Sequence, residues 1–286
     1  MRLARHLAGM ACGALALVAS AFAGPADKPQ RIVSLNLCTD QMLMMLAPPE
    51  RIASISFLSL QNQRTPPELR AVAADLNINH GLAEEVLLQK PDLVLAGAYT
   101  SRPAVNLLKR MGVRVEDFTP ESSFDDMRVN LLRMGELVGE RGKAEEIVAA
   151  FDAELAEMKR AAGPVETMPV YADVDVNYWM AGRGTLATEI AHAGGFRTLG
   201  EMLGFAGHQN VPLEILIQTD PDLMTVDTPW ADPPSIATDG LRHPALRRMA
   251  AEHPLIDMPE RYQICATPYS LEGARALAAK RRELGK

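Results

Sequence analysis

The sequence predicts an α/β fold of two Rossmann-like lobes, each built on a parallel sheet, joined by one long α-helix. Three observations predict it. Short β-branched runs alternate with helical periodicities, a helix-period stretch of about 20 residues lies between two such series, and the pattern before that stretch recurs after it.

The chain has 286 residues, 48% of them apolar, and a formal net charge of −7. Residues 1–23 read as an export signal. Arg2 and Arg5 provide a positive start, Leu7 to Phe22 is almost entirely apolar, and Ala21-Phe22-Ala23 places small residues before Gly24, so cleavage after Ala23 is expected. A membrane anchor would need about 20 apolar residues, more than this run contains. Cys12 lies inside the apolar run rather than behind it, which disfavours lipidation. A periplasmic location follows. Without Arg2 and Arg5 the 29 Lys+Arg become 27 against 36 Asp+Glu, a net of −9, so nucleic acid is not an expected partner. The mature length, roughly 260 residues, suits two lobes better than one core, and a monomer is expected.

The N-terminal lobe is assigned to residues 30–138. Arg31 to Leu35 is a strand that turns through Asn36-Leu37-Cys38-Thr39 into a helix at Asp40 to Leu46. Arg51 to Ser56 is a strand, Leu82 to Gln89 a helix, Leu93 to Ala96 a buried strand, Val105 to Met111 a helix and Val113 to Asp117 a strand. Helical pattern then runs from Phe124 to about Ala162, capped by Ser122 or Ser123 and broken at Gly139-Glu140-Arg141-Gly142. Within 139–163, the predicted interlobe helix, Ile147, Val148, Phe151, Leu155 and Met158 share one face. Gly163-Pro164 stops it, and the C-terminal lobe, 168–286, opens with a strand at Pro169 to Val174.

The repeat lies in two places. Glu84 stands seven residues before Pro91-Asp92-Leu93, and Glu214 seven before Pro221-Asp222-Leu223; each copy reads as a helix stopped by proline and fed into a buried strand. Leu108-Lys109-Arg110-Met111 is echoed by Leu246-Arg247-Arg248-Met249.

Arg31 to Asp40, Arg51 to Ser56 and the two Glu-x6-Pro-Asp-Leu units together resemble the periplasmic binding proteins for iron–siderophore complexes, haem and vitamin B12, whose lobes are joined by a single long helix. The resemblance covers essentially the whole mature chain. It implies a binding component, not an enzyme, that delivers an iron chelate or corrinoid to an ABC permease with its cytoplasmic ATPase, and it implies no cofactor. It also implies that Glu84 and Glu214 dock onto permease arginines, a bidentate pairing available to two exposed carboxylates on a two-fold partner.

Ligands of such folds sit where the carboxyl ends of strands from both lobes face each other. The candidate loops are 36–40, 57–64 and 99–102 in the first lobe, and 177–184, 207–210, 228–232 and 266–269 in the second. Within them Asn36, Cys38, Thr39, Tyr99, Tyr178, Trp179 and Trp230 are candidate ligand contacts, with Arg102 and Arg183 as cations for carboxylate or phosphate groups. Aromatic residues form only 5% of the chain, so their concentration here favours a flat or greasy ligand. Members of that family that take haem can use a tyrosinate as iron ligand, a role weighed for Tyr99 as a minority reading. Cys38 and Cys265, the two cysteines beyond the signal, are expected to form a disulfide across the cleft, with free thiols or ligand-touching thiols as alternatives.

Two other functions are weighed. Bare metal capture needs three or four converging ligands, whereas His80, His192, His208, His243 and His253 are scattered, so no metal site is assigned. A secreted dinucleotide-dependent enzyme would use Gly182-Arg183-Gly184-Thr185-Leu186-Ala187 as its phosphate turn, but no strand ending in an acidic residue follows at the required distance.

Overall fold

The computed structural model describes residues 28–226 and 240–286. The predicted export signal and Trp230 lie outside these residues.

The first lobe alternates as expected: β1 (Ile32–Ser34), α1 (Leu37–Leu46), β2 (Ile52–Ser56), α2 (Pro67–Ala73), β3 (Ile78–Asn79), α3 (Ala83–Leu88), β4 (Leu93–Gly97), α4 (Arg102–Arg110) and β5 (Val115–Phe118). Its strands form one parallel sheet in the order β3-β2-β1-β4-β5. Helix α1 starts three residues earlier than the periodicity indicates because Asn36 caps it, accepting from the Cys38 amide. The sequence reading missed α2 and β3, the latter a two-residue strand with no pattern of its own.

Helix α5 (Phe124–Val138) is capped by the Ser123 side chain and ends at Gly139, whose φ of 72° is the left-handed conformation a helix stop favours. The 22-residue α6 (Arg141–Ala162) follows, about 33 Å of rod. Beyond it come β6 (Val170–Val174), β7 (Trp179–Ala181), α7 (Leu186–Ala193), β8 (Arg197–Thr198), α8 (Leu199–Met202), β9 (His208–Asn210), α9 (Leu213–Leu216), β10 (Leu223–Val226), α10 (Pro244–Glu252) and α11 (Ser270–Glu283). The second sheet runs β10-β6-β8, all parallel, and a parallel bridge from Met224 to Leu255 continues it past β10. The order β8-β6-β10-Leu255 thus reproduces β2-β1-β4-β5. An antiparallel ribbon of β7 and β9 interrupts the copy; it was not foreseen, because His208-Gln209-Asn210 is exposed throughout and carries no apolar alternation.

Side chains alternate between the faces of each sheet. Ile32, Leu93 and Leu95 face one core, while Val33, Leu35 and Val94 face another. In the second sheet Tyr171 and Leu223 join the first of these cores, and Ala172, Val174 and Met224 pack in a third. The shared core passes along α5 and α6, through Phe124, Phe151 and Leu155, to Ile190 and Leu277. Phe124 and Phe151 meet edge to face at 5.1 Å. The lobes are therefore connected by continuous apolar packing as well as by the chain.

Candidate functional site

The carboxyl ends of the two central strands, β1 and β6, converge on one junction. Cys38, two residues into α1, is disulfide-bonded to Cys265 before α11, with 5.2 Å between their Cα atoms. Beside it Arg64 of the first lobe pairs with Glu260 of the second at 3.4 Å, and the Arg261 guanidinium reaches the Asn62 carbonyl at 3.5 Å. Burial pushes the Glu260 carboxyl up, Arg64 opposes that, and Asp175, the residue after β6, adds to it by repulsion. Covalent, ionic and hydrogen-bonded ties thus hold the two loops together.

In the first lobe several predicted contacts prove to be scaffold. The Asn36 side chain caps α1 and lies against Gly97 at the end of β4, where a Cβ would stand 2.7 Å from its Cγ. Thr39 is 1% exposed, its hydroxyl meeting Ser34 Oγ at 2.7 Å and the Asn36 carbonyl at 2.9 Å, and it offers a ligand no surface. Arg102 begins α4 and donates to the Gly97 carbonyl at 2.8 Å and to Asp117 at 3.0 Å. Burial alone would raise the Asp117 carboxyl, but Lys109 and Arg102 outweigh it and hold it below the ordinary range. The Arg102 charge is therefore already paired. Tyr99, by contrast, is 89% exposed.

Two other ring-bearing residues that follow strands of this sheet were singled out by no motif as ligand contacts. Phe57 follows β2 and is 41% exposed. Its ring stacks on His80, which follows β3, with centroids 5.3 Å apart. Phe57 belonged to a loop expected to line the cleft; its pairing with His80 depends on β3, which has no sequence signature.

In the second lobe Trp179 opens the ribbon at 43% exposure, paired in register with Asn210. Tyr178, at a positive φ of 56°, donates to the Gly240 carbonyl at 2.8 Å. Burial raises its hydroxyl pKa, and so does the Glu214 charge. Arg183 is exposed; its backbone pairs with Phe205 and Gly207, and its guanidinium donates to the Gly204 carbonyl at 3.3 Å. Tyr269, in the last candidate loop, lines an apolar groove with Met44, Leu69, Val72 and Ile147 of the connecting helix.

The glycine turn at 182–187 is closed by its own chain. A Cβ on Gly182 would stand 2.6 Å from the Phe205 carbonyl oxygen, and the Gly182 carbonyl accepts from Thr185 and Thr188 hydroxyls. Thr185 caps α7, so the turn serves as a helix start. Among the described residues no three His, Cys, Asp or Glu converge as a metal site.

Glu84 and Glu214 are both exposed, and each is the second residue of its helix, α3 and α9.

Comparison with known proteins is consistent with this architecture. An ABC transporter substrate-binding lipoprotein, YvrC, of Bacillus subtilis is 22% identical over 269 residues, 88% of this chain and 79% of that protein. A cobalamin-binding protein of Halobacterium salinarum is 24% identical over 211 residues, 69% of this chain but only 54% of that protein. The apo periplasmic heme-binding protein RhuT from Roseiflexus sp. RS-1 superposes with a TM-score of 0.71 at 19% identity, covering 90% of this chain and 99% of its own. The profile of the family described as periplasmic binding protein matches residues 32–259, and with most of its length so matched this chain belongs to that family.

Proposed function

We propose that this chain is the periplasmic substrate-binding component of an ABC importer, without enzymatic activity. It captures a metal chelate with a broad apolar face, haem, a corrinoid or a ferric siderophore, between its lobes and hands it to the inner-membrane permease. The carrying observation is a set of exposed rings in both lobes: Phe57 on His80 and Tyr99, which follow β2, β3 and β4 of the first sheet, and Trp179, which opens the β7–β9 ribbon after β6. An exposed ring offers a flat apolar ligand a face to stack on, and the origin of these rings from both lobes suits a ligand held between them. Arg183 supports the reading as a cation with no carboxylate partner among the described residues, available to an acidic group on the ligand. The cobalamin-binding protein of Halobacterium salinarum and the heme-binding protein RhuT, both similar to this chain, support the same ligand class.

Delivery is assigned to Glu84 and Glu214, one per lobe, for two arginine-bearing sites of a two-fold permease. The domains are assigned as before: a lobe over 30–138, a connecting helix over 139–163 and a lobe over 168–286, after removal of a signal over 1–23.

The test is a titration of the mature protein with haemin, cyanocobalamin and a panel of ferric siderophores, followed by intrinsic fluorescence and by ligand absorbance. Saturable one-to-one binding of one class is expected. Absence of binding across all three classes would remove the proposal.

A further inference from the structure

Asp40 is the fourth residue of α1 and has no exposed surface. Its Oδ2 accepts from the amide of Ser56, the last residue of β2, at 3.0 Å and from Ser59 Oγ at 2.8 Å. Its Oδ1 is buried with no hydrogen-bond partner among the described residues. Ser59 belongs to the single tight turn Phe57–Leu60, and Ser56, the residue before it, caps that turn, its Oγ accepting from the Leu58 amide at 3.2 Å. The inner side of the turn is thus fastened to α1. Its outer side presents Phe57, 41% exposed, and Leu60, 44% exposed, with Phe57 stacked on His80.

An ionised carboxylate in this position would leave charge buried without compensation. Burial accordingly pushes the Asp40 pKa to about 8 against the lowering effect of the nearby Ser34 hydroxyl, Ser59 and the Ser56 amide. These partners are hydroxyls and one amide. No charged side chain contributes to the shift. A carboxylic acid carrying its proton still has a carbonyl oxygen free to accept from both donors.

We propose that Asp40 is a positioning residue for ligand capture: it pins the Phe57–Leu60 turn through Ser56 and Ser59, and so holds the Phe57–His80 face ready for the apolar side of a chelate. The assignment rests on the cleft reading given above. Asp40 itself touches no ligand. It acts through the turn, and it does so from the helix that also carries the interlobe disulfide at Cys38, so one rigid element fixes both the lobe junction and the cleft wall.

Mature wild type, Asp40→Asn, Asp40→Ala and Ser59→Ala are compared by deuterium exchange of amides 56–61 and by titration with haemin and cyanocobalamin. Asp40→Ala should speed exchange in that segment about tenfold and weaken binding of the probe that wild type takes by a similar factor, and Ser59→Ala about threefold, as expected for lost hydrogen bonds. Asp40→Asn keeps a carbonyl oxygen for both donors and should stay within about twofold of wild type. Unchanged exchange and affinity in Asp40→Ala overturn the proposal. So does an Asn variant as impaired as the Ala variant, or exchange that rises equally over the whole chain. Should Asp40→Ala fail to fold, Ser59→Ala decides by the same two measurements, and no change in either overturns it. If wild type takes neither probe, the cleft reading fails for those ligand classes, while local exchange still decides whether Asp40 holds the turn.

Discussion

Asp92 and Asp222 do the same work in the two halves of the chain. The Asp92 carboxylate accepts from the amides of Gln30 and Arg31 at 2.6 and 3.1 Å, just before β1, and the Asp222 carboxylate accepts from the Val170 amide at 2.7 Å, the first of β6. Each residue also donates its own amide to the same strand start, Asp92 to the Arg31 carbonyl at 3.1 Å and Asp222 to the Val170 carbonyl at 2.9 Å. The Pro-Asp-Leu repeat is therefore a device that registers one parallel strand against its neighbour, and its Asp is required because an amide at a strand start has no partner in the sheet.

Replacing Asp222 by Ala should cost about 1–2 kcal/mol, the cost of stranding the part-buried Val170 amide, and replacing Asp92 about 0.5–1 kcal/mol, because the Gln30 and Arg31 amides it holds lie at the exposed surface. The two sites lie in separate lobes, so the losses should add in the double variant. Urea unfolding checks both points.

The disulfide closes a loop with a sequence separation of 227 residues, and chain-entropy arguments put its contribution at about 2–5 kcal/mol. Reduction, or the Cys38→Ser/Cys265→Ser pair, should lower Tm and raise solution flexibility between the lobes. Mass measurement should show two hydrogens gained on reduction. Solution scattering of the oxidised protein should show little compaction on ligand binding, since the shared core through Phe151 and the bridge both oppose wide opening.

Asp40 sets the sign of one pH effect. Its folded pKa of about 8 lies above the ordinary value of 3.8, so the folded state holds the proton more tightly than the unfolded one. The associated stability is complete below the unfolded pKa and is lost as pH rises towards 8. Asp117 and Asp222 act oppositely: their lowered folded values contribute stability above pH 4 that disappears on acidification. Melting curves between pH 5 and 8 should therefore show a declining contribution that Asp40→Asn abolishes. A slope unchanged in that variant would assign it to other groups.

Glu84→Ala with Glu214→Ala should abolish ligand uptake in cells carrying the cognate permease, while either single change lowers it by about tenfold to a hundredfold, the scale of one charged hydrogen-bonded pair. Ligand affinity should be unchanged in all three variants. Uptake that survives the double change would refute the docking role.

Arg102→Ala and Arg183→Ala should separate by kind of defect. Arg102 already bonds Asp117 and the Gly97 carbonyl, so its loss should destabilise the first lobe by about 1–2 kcal/mol. Arg183→Ala should leave unfolding stability within about 0.5 kcal/mol of wild type, as surface changes do, and weaken binding of an acidic ligand.

The sequence by itself determined the alternation of strands and helices, the length of α6 and the duplication, because apolar periodicity and proline-stopped helices are local properties. It was also sufficient to place Cys38 and Cys265 in opposite halves, although Cys38 lies in the first turn of α1 rather than in the loop before it. Tertiary structure alone decided which loop residues keep free surface. Asn36, Thr39 and Arg102 have the chemistry of ligand contacts, yet capping, burial and an ion pair with Asp117 hold them in the scaffold. Phe57 and His80, 23 positions apart in the chain, become a stacked pair only because β3 lies beside β2. The β7–β9 ribbon likewise depends on backbone pairing between segments with no apolar pattern. Free surface and pairing depend on what the rest of the chain covers, and no window of sequence contains that information.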